Sequence, residues 1–162
     1  MLNSVWAVPG SQSFRENTLL RSTQGEDCEL GAGVSTTSAR RAMKLHRWSE
    51  IEREELSPGV ARQMLHSDRM TVARIYLKKG AIVPRHQHEN EQVSCVIEGR
   101  LRFDFDSEQV VVAAGEAMQI DSGRPHRVEA LEDSLALDLF QPVREDWLRG
   151  DDAYLRNPSG RS

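Results

Sequence analysis

His86 and His88 stand two residues apart, and His126 follows about forty residues later. Alternate residues of a β-strand point to the same face, so a His-x-His pair in a strand-forming stretch sends both imidazoles the same way. Three imidazoles gathered inside a β-barrel can hold a transition metal. On the same parity Gln92 keeps the inner face if the chain stays extended, and Glu91 points outward. Gln92 is therefore the candidate fourth ligand. Its alternative role is to hydrogen-bond a ligand histidine, with Glu91 taking the fourth position. Neutral imidazoles and an amide oxygen suit one divalent first-row metal per chain: Ni, Fe, Mn, Co or Zn.

Asp138 adds a group that can move protons. In Leu135-Ala136-Leu137-Asp138-Leu139-Phe140 the leucines share one face and Ala136, Asp138 and Phe140 share the other. If the second face lines the barrel, a carboxyl is enclosed near a metal, where burial raises its pKa and a cation lowers it. It is a candidate proton donor or acceptor. Arg144, just past Pro142, is placed to fold over the barrel mouth and grip an acidic substrate through a bidentate pair, with Phe140 as an apolar wall. The plainer alternatives are an Asp138 paired with Arg144 or with backbone N–H groups, and an Arg144 in a solvated turn at a helix start. His46 and His66 read as structural.

The elements that must position these groups are short strands: 70–77, 92–98, 101–105, 109–112, 117–120, 127–130 and 135–140. Lys79-Gly80, Glu98-Gly99, Ala114-Gly115 and Ser122-Gly123 supply turn residues between them. This spacing favours an all-β sandwich or barrel over a parallel sheet. Two segments break the rhythm as predicted short helices, 48–55 with Ser49 as a possible N-cap and 144–149 after Pro142.

The 162 residues carry a formal charge of −4 and are 38% hydrophobic, which suits one compact domain. The weak acidity and the lack of a basic stripe argue against nucleic acid as a partner. The two cysteines, Cys28 and Cys95, make neither a disulfide framework nor a Cys-rich zinc site. No stretch approaches the roughly 20 apolar residues of a membrane span, and the first residues lack the apolar run of a signal peptide, so a cytoplasmic location is the expectation. Residues 1–42, rich in Ser, Thr, Gly and Arg without periodicity, read as a disordered extension, and 43–162 as the barrel domain with a short C-terminal helix.

The order of these residues resembles the two motifs of the cupin superfamily. Gly80, five residues, His86-Gln-His88, three residues, Gln92, six residues and Gly99 resemble the first; Gly115, seven residues, Gly123-Arg124-Pro125-His126 resemble the second. Gln92 stands where the first motif carries a carboxylate. Asp121 stands where the second usually has proline, and Ala130 where it has asparagine. The resemblance covers about residues 62–150 and implies an all-β cupin β-barrel, a double-stranded β-helix or jelly roll with short flanking helices. Similar barrels often pair through their strands, which implies a homodimer.

A finer resemblance lies in Glu91-Gln92 combined with the ending Asp138-Leu-Phe140-Gln-Pro142-Val-Arg144-Glu145-Asp146-Trp147-Leu148. It is similar to the KdgF-type cupins of pectin degradation, which linearise 4,5-unsaturated uronate monomers with three histidines and a glutamine around the metal. The resemblance implies active-site roles for Asp138, Phe140 and Arg144. Two other readings stay open: an iron-dependent dioxygenase of a small aromatic or thiol substrate, and a non-catalytic sensor of a sugar or small acid.

Overall fold

A computed structural model of the chain describes residues 43–156; the extension expected at 1–42 lies outside them, as do residues 157–162. Ten strands follow one another in it: β1 (Glu54–Ser57), β2 (Val60–His66), β3 (Thr71–Leu77), β4 (Ile82–His86), β5 (Glu91–Glu98), β6 (Arg100–Asp104), β7 (Gln109–Ala113), β8 (Ala117–Ile120), β9 (His126–Ala130) and β10 (Ser134–Gln141). Two short helices close the described chain, α1 (Glu145–Arg149) and α2 (Ala153–Arg156).

All strand pairs are antiparallel, in a six-stranded sheet ordered β1-β2-β3-β10-β5-β8 and a four-stranded sheet ordered β4-β9-β6-β7. Neighbours such as β3 and β10 are distant in sequence, so the two sheets face each other as an all-β jelly roll. Burial alternates strictly along β3, β9 and β10. Their inward residues, including Ala73, Ile75, Val128, Ala136 and Phe140, meet Leu101, Phe103 and Val112 in the core.

Turns at Gly80, Gly99, Gly115 and Gly123 all carry positive φ. Gly99 shows why a side chain is excluded at one of them: at φ +78°, an added Cβ would lie 2.3 Å from the Asp133 carbonyl and 2.4 Å from Ser134 Oγ. The close approach lets the Ser134 hydroxyl accept from the Arg100 N–H at 3.0 Å, tying β10 to β6.

The helix expected over 48–55 is instead a single 3-10 turn, Trp48–Glu50, with β1 beginning at Glu54. No side chain caps it. Gln63 Nε2 donates to the Trp48 and Ile51 carbonyls at 2.8 and 2.6 Å, so β2 takes up carbonyls that a longer helix would have used within itself. Strands β1, β2 and β4 were not anticipated either. Buried Arg62 and Gln63 interrupt the apolar pattern of β2, and Pro84 with exposed Ile82 does the same in β4.

Candidate metal centre

His86 is the last residue of β4, His88 lies in the connection beyond it, and His126 opens β9. β4 and β9 are neighbours and His86 pairs with His126 across them. Gly123 N–H donates to the His88 carbonyl at 2.8 Å, which brings the second glycine turn against the first histidine loop. The three histidines each offer a ring nitrogen within 4.8 Å of the others.

Each imidazole is fixed through Nδ1. His86 donates to the Pro84 carbonyl at 2.8 Å, His88 to the Asn90 carbonyl at 3.0 Å, and His126 to the Arg124 carbonyl at 2.9 Å. A carbonyl only accepts, so Nδ1 carries the proton in all three rings and Nε2 keeps its lone pair. Burial, reinforced by His126, pushes His86 down to about 3; burial and then the Arg144 charge push His88 down to about 4. Burial also lowers His126. The rings are therefore neutral at neutral pH, the state in which an imidazole can hold a metal.

Gln92 supplies the sharpest test of whether a cation fits. Its Nε2 donates to Asp138 Oδ2 at 3.2 Å, which turns its Oε1 toward His88 Nε2 at 3.1 Å. Two acceptors thus face each other inside the barrel. A shared proton would settle them, but His88 titrates far below neutrality; a metal ion accepting both lone pairs settles them as well. The donor set fits a divalent transition metal.

Glu91 is exposed and accepts from Gln119 Nε2 at 2.8 Å on β8, away from the histidines. The chain does not stay extended between His88 and Gln92; it bends at Glu89-Asn90 and crosses to the other sheet. Asn90 is buried and its side-chain N–H donates to the Pro142 carbonyl at 2.5 Å. That bond holds the bend and leaves Gln92 facing inward at the start of β5.

Asp138 is 8% exposed and shares the cavity wall with His86, Gln92 and His126. Its Oδ1 accepts from Ser94 Oγ at 2.5 Å. Burial raises its pKa to about 6, against the lowering effects of the Ser94 hydrogen bond, the Arg144 charge and Gln92. Phe140 meets His88 edge-on, with ring centroids 5.5 Å apart.

Arg144 takes a different place from a clamp over the mouth or a solvated turn. It is 1% exposed, lies 4.8 Å from the Phe140 ring and 4.2 Å from the Trp147 ring, and gives Nε and Nη2 to Asp146 at 2.9 and 2.7 Å. It lines the cavity as a fixed positive charge, with its backbone N–H on Thr71 Oγ1 at 2.9 Å. Asp138 is not ion-paired with it among the described contacts; Ser94 and Gln92 hold that carboxyl.

Sequence reasoning passed over Ser94, Asn90, Trp147 as a cavity residue, and Tyr154. Ser94 was within reach, since it lies two residues from Gln92 on the same strand face. Tyr154 carries no comparable signal, because it arrives from beyond the last strand. His66 bonds Thr71 Oγ1 through Nδ1 at 2.7 Å and is not among the three gathered histidines.

The Cupin domain family matches residues 73–140. Among solved structures, KdgF from Halomonas sp. is 29% identical over 61% of this chain and 94% of its own, with a TM-score of 0.58. An RmlC-like cupin from Shewanella frigidimarina NCIMB 400 is 28% identical over 65% of this chain and 96% of its own, with a TM-score of 0.61. Oxalate decarboxylase of Bacillus subtilis, at 23% identity and a TM-score of 0.52, shares the fold over 59% of this chain and 28% of its own. A search of curated proteins returns no match. The two histidine motifs, the antiparallel jelly roll and these likenesses support a cupin superfamily protein, with a barrel that resembles that of KdgF.

Proposed function

We propose that this protein is a metal-dependent enzyme acting on a small acidic sugar derivative, most concretely one that linearises 4,5-unsaturated uronate monomers. The observation that carries the reading is the facing pair of acceptors, His88 Nε2 and Gln92 Oε1, set beside a buried carboxyl whose pKa is about 6. His86, His88, Gln92 and His126 would hold one divalent metal. With four neutral ligands such a metal keeps its charge and supplies Lewis acidity to an oxygen of the substrate.

The chain's own residues supply the rest. Ring opening breaks the bond between the anomeric carbon and the ring oxygen, takes the proton from the anomeric hydroxyl, and returns a proton to C4 as the enol becomes a ketone. Asp138 is poised for that transfer because a group titrating near 6 gives up and recovers a proton readily at neutral pH. Ser94 and Gln92 hold the carboxyl in one orientation. Arg144 keeps a positive charge at the cavity wall, which favours an anionic ligand, and Phe140 supplies an apolar face.

We further propose that the protein is a homodimer that pairs through the six-stranded sheet. The outer face of the smaller sheet carries a lattice of ion pairs, with Arg102 and Arg127 each bridging Asp104 and Glu129. The outer face of the larger sheet instead presents Leu135, Leu137 and Leu139 along β10, with Val72 and Val93 beside Leu139 and half-exposed Ile97 nearby. A second copy of the same face supplies a self-complementary cover, one apolar patch meeting its own image.

The test is elemental analysis of protein purified without added metal, followed on the same sample by loss of the unsaturated-uronate absorbance without oxygen. Metal at about one per chain with oxygen-independent turnover is expected. Bound metal without turnover overturns the substrate assignment, and absence of metal overturns the catalytic account.

A further inference from the structure

Beyond β10 the chain returns to the barrel, held there by buried charge and aromatic contacts. Asp152 is fully buried; its carboxylate pairs with Arg62 at 2.5 Å and with Arg156 at 2.9 Å, and Arg156 also reaches Glu54 at 2.5 Å. The Trp147 ring carries two guanidinium groups, Arg62 at 4.7 Å and Arg144 at 4.2 Å. Leu155 enters the core.

This strap delivers Tyr154 to the metal centre. Its ring stacks on His86, centroids 4.5 Å apart and planes 19° from parallel. Its hydroxyl accepts from Arg144 Nη2 at 2.9 Å and from Trp147 Nε1 at 3.4 Å. The other two imidazoles have no such parallel partner among the described residues: Phe140 meets His88 edge-on, and Phe105 lies tilted to His126 at 6.4 Å. A ring bonded only at Nδ1 can rock about that bond, and a parallel ring on its face removes the rocking.

We propose that Tyr154 is a positioning residue for the metal centre: it aims His86 Nε2 by stacking on the imidazole, and the buried Arg62–Asp152 pair sets that stack from the far side of the strap. The inference rests on the metal reading above and lies outside the segment matched by the Cupin domain family, which ends at residue 140.

Cobalt(II) serves as the probe, because its visible bands report coordination geometry and its affinity can be read by competition with a chelator. In the full chain, Y154F keeps the stacked ring and is expected to bind cobalt within about twofold of the unsubstituted protein with the same bands. Y154A is expected to bind about tenfold more weakly with shifted bands, and D152N to share that loss without touching the centre. Y154L restores bulk without a ring and gives the same reading if Y154A fails to fold. Unsubstituted affinity and bands in Y154A or Y154L overturn the proposal, and an unchanged D152N overturns the remote anchoring. If the unsubstituted protein takes up no cobalt, the metal reading fails and this inference falls with it, a result distinct from normal binding by every variant.

Discussion

The amide of Gln92 stands between two acceptors: its Nε2 donates to Asp138 Oδ2 at 3.2 Å, and its Oε1 faces the lone pair of His88 Nε2 at 3.1 Å. One side chain thereby sets both a candidate metal ligand and the carboxyl proposed to move protons. Gln92→Glu retains an oxygen toward His88 but replaces the donor facing Asp138 with a second carboxylate. In metal-stripped protein this is expected to cost about 1–3 kcal/mol, since a buried acceptor loses its partner and meets a like charge. Bound metal should recover more stability in the variant than in the unsubstituted protein, because an anionic ligand replaces a neutral one. Thermal melts with and without nickel check this; an equal or smaller rise in the variant shows that the residue-92 oxygen is not a ligand.

Asp138→Asn keeps the shape of the carboxyl and removes its ability to exchange a proton. Turnover of the unsaturated uronate is expected to fall by at least about 100-fold, the usual worth of a positioned acid or base. Metal content should stay as before, because Asp138 touches Gln92 and not the imidazoles. Turnover and elemental analysis on one preparation decide it: surviving activity removes the proposed role.

The stability of metal-stripped protein should fall as the solution is acidified from neutrality. Burial holds His86 near 3 and His88 near 4 and lowers His126, whereas the unfolded imidazoles titrate at about 6.5. Between those values the unfolded chain binds more protons, so stability is lost as pH drops through about 6.5 and below. Asp138 acts in the opposite sense: raised to about 6 in the fold, it adds stability below its unfolded value of about 3.9 that is lost as pH rises through 6. Three imidazoles outweigh one carboxyl. Calorimetric Tm measured from about pH 7.5 to about pH 5 should decline, and His88→Gln should flatten the slope. A Tm that rises over this range contradicts the burial of neutral imidazoles.

The leucine face gives the oligomer prediction. Leu137 sits at the centre of β10, between Arg74 of β3 and Cys95 of β5 on the outer side of the six-stranded sheet. Light scattering should return twice the chain mass for the unsubstituted protein and a single chain mass for Leu137→Glu, which places a charge in the contact without entering the core. A monomer in both cases removes the dimer.

The candidate site was legible in the sequence because its residue types are chemically scarce and the spacing is short: His86 and His88 are tied by two residues of chain, and Asp138 shares a face with Phe140 by strand parity alone. Parity also put Gln92 inside and Glu91 outside, although the reason differs from unbroken extension. The chain bends at Glu89-Asn90, and the buried Asn90 side chain on the Pro142 carbonyl restores the inward face. Strands β1, β2 and β4 escaped notice because local pattern cannot show that Arg62 is buried against Asp152, about ninety residues away in the chain.

The sequence by itself determined the alternating strands, the glycines that turn them and the inventory of ligands, since these depend on backbone geometry and side-chain chemistry within a few residues. Tertiary structure decided which nitrogen each imidazole presents, because the bonded carbonyls belong to particular bends. It also decided that Arg144 lies buried with its backbone N–H on Thr71 Oγ1, and that Tyr154 reaches His86. Those contacts join segments whose separation along the chain carries no periodic signal, so only the closing of the two sheets and the return of the strap bring them together.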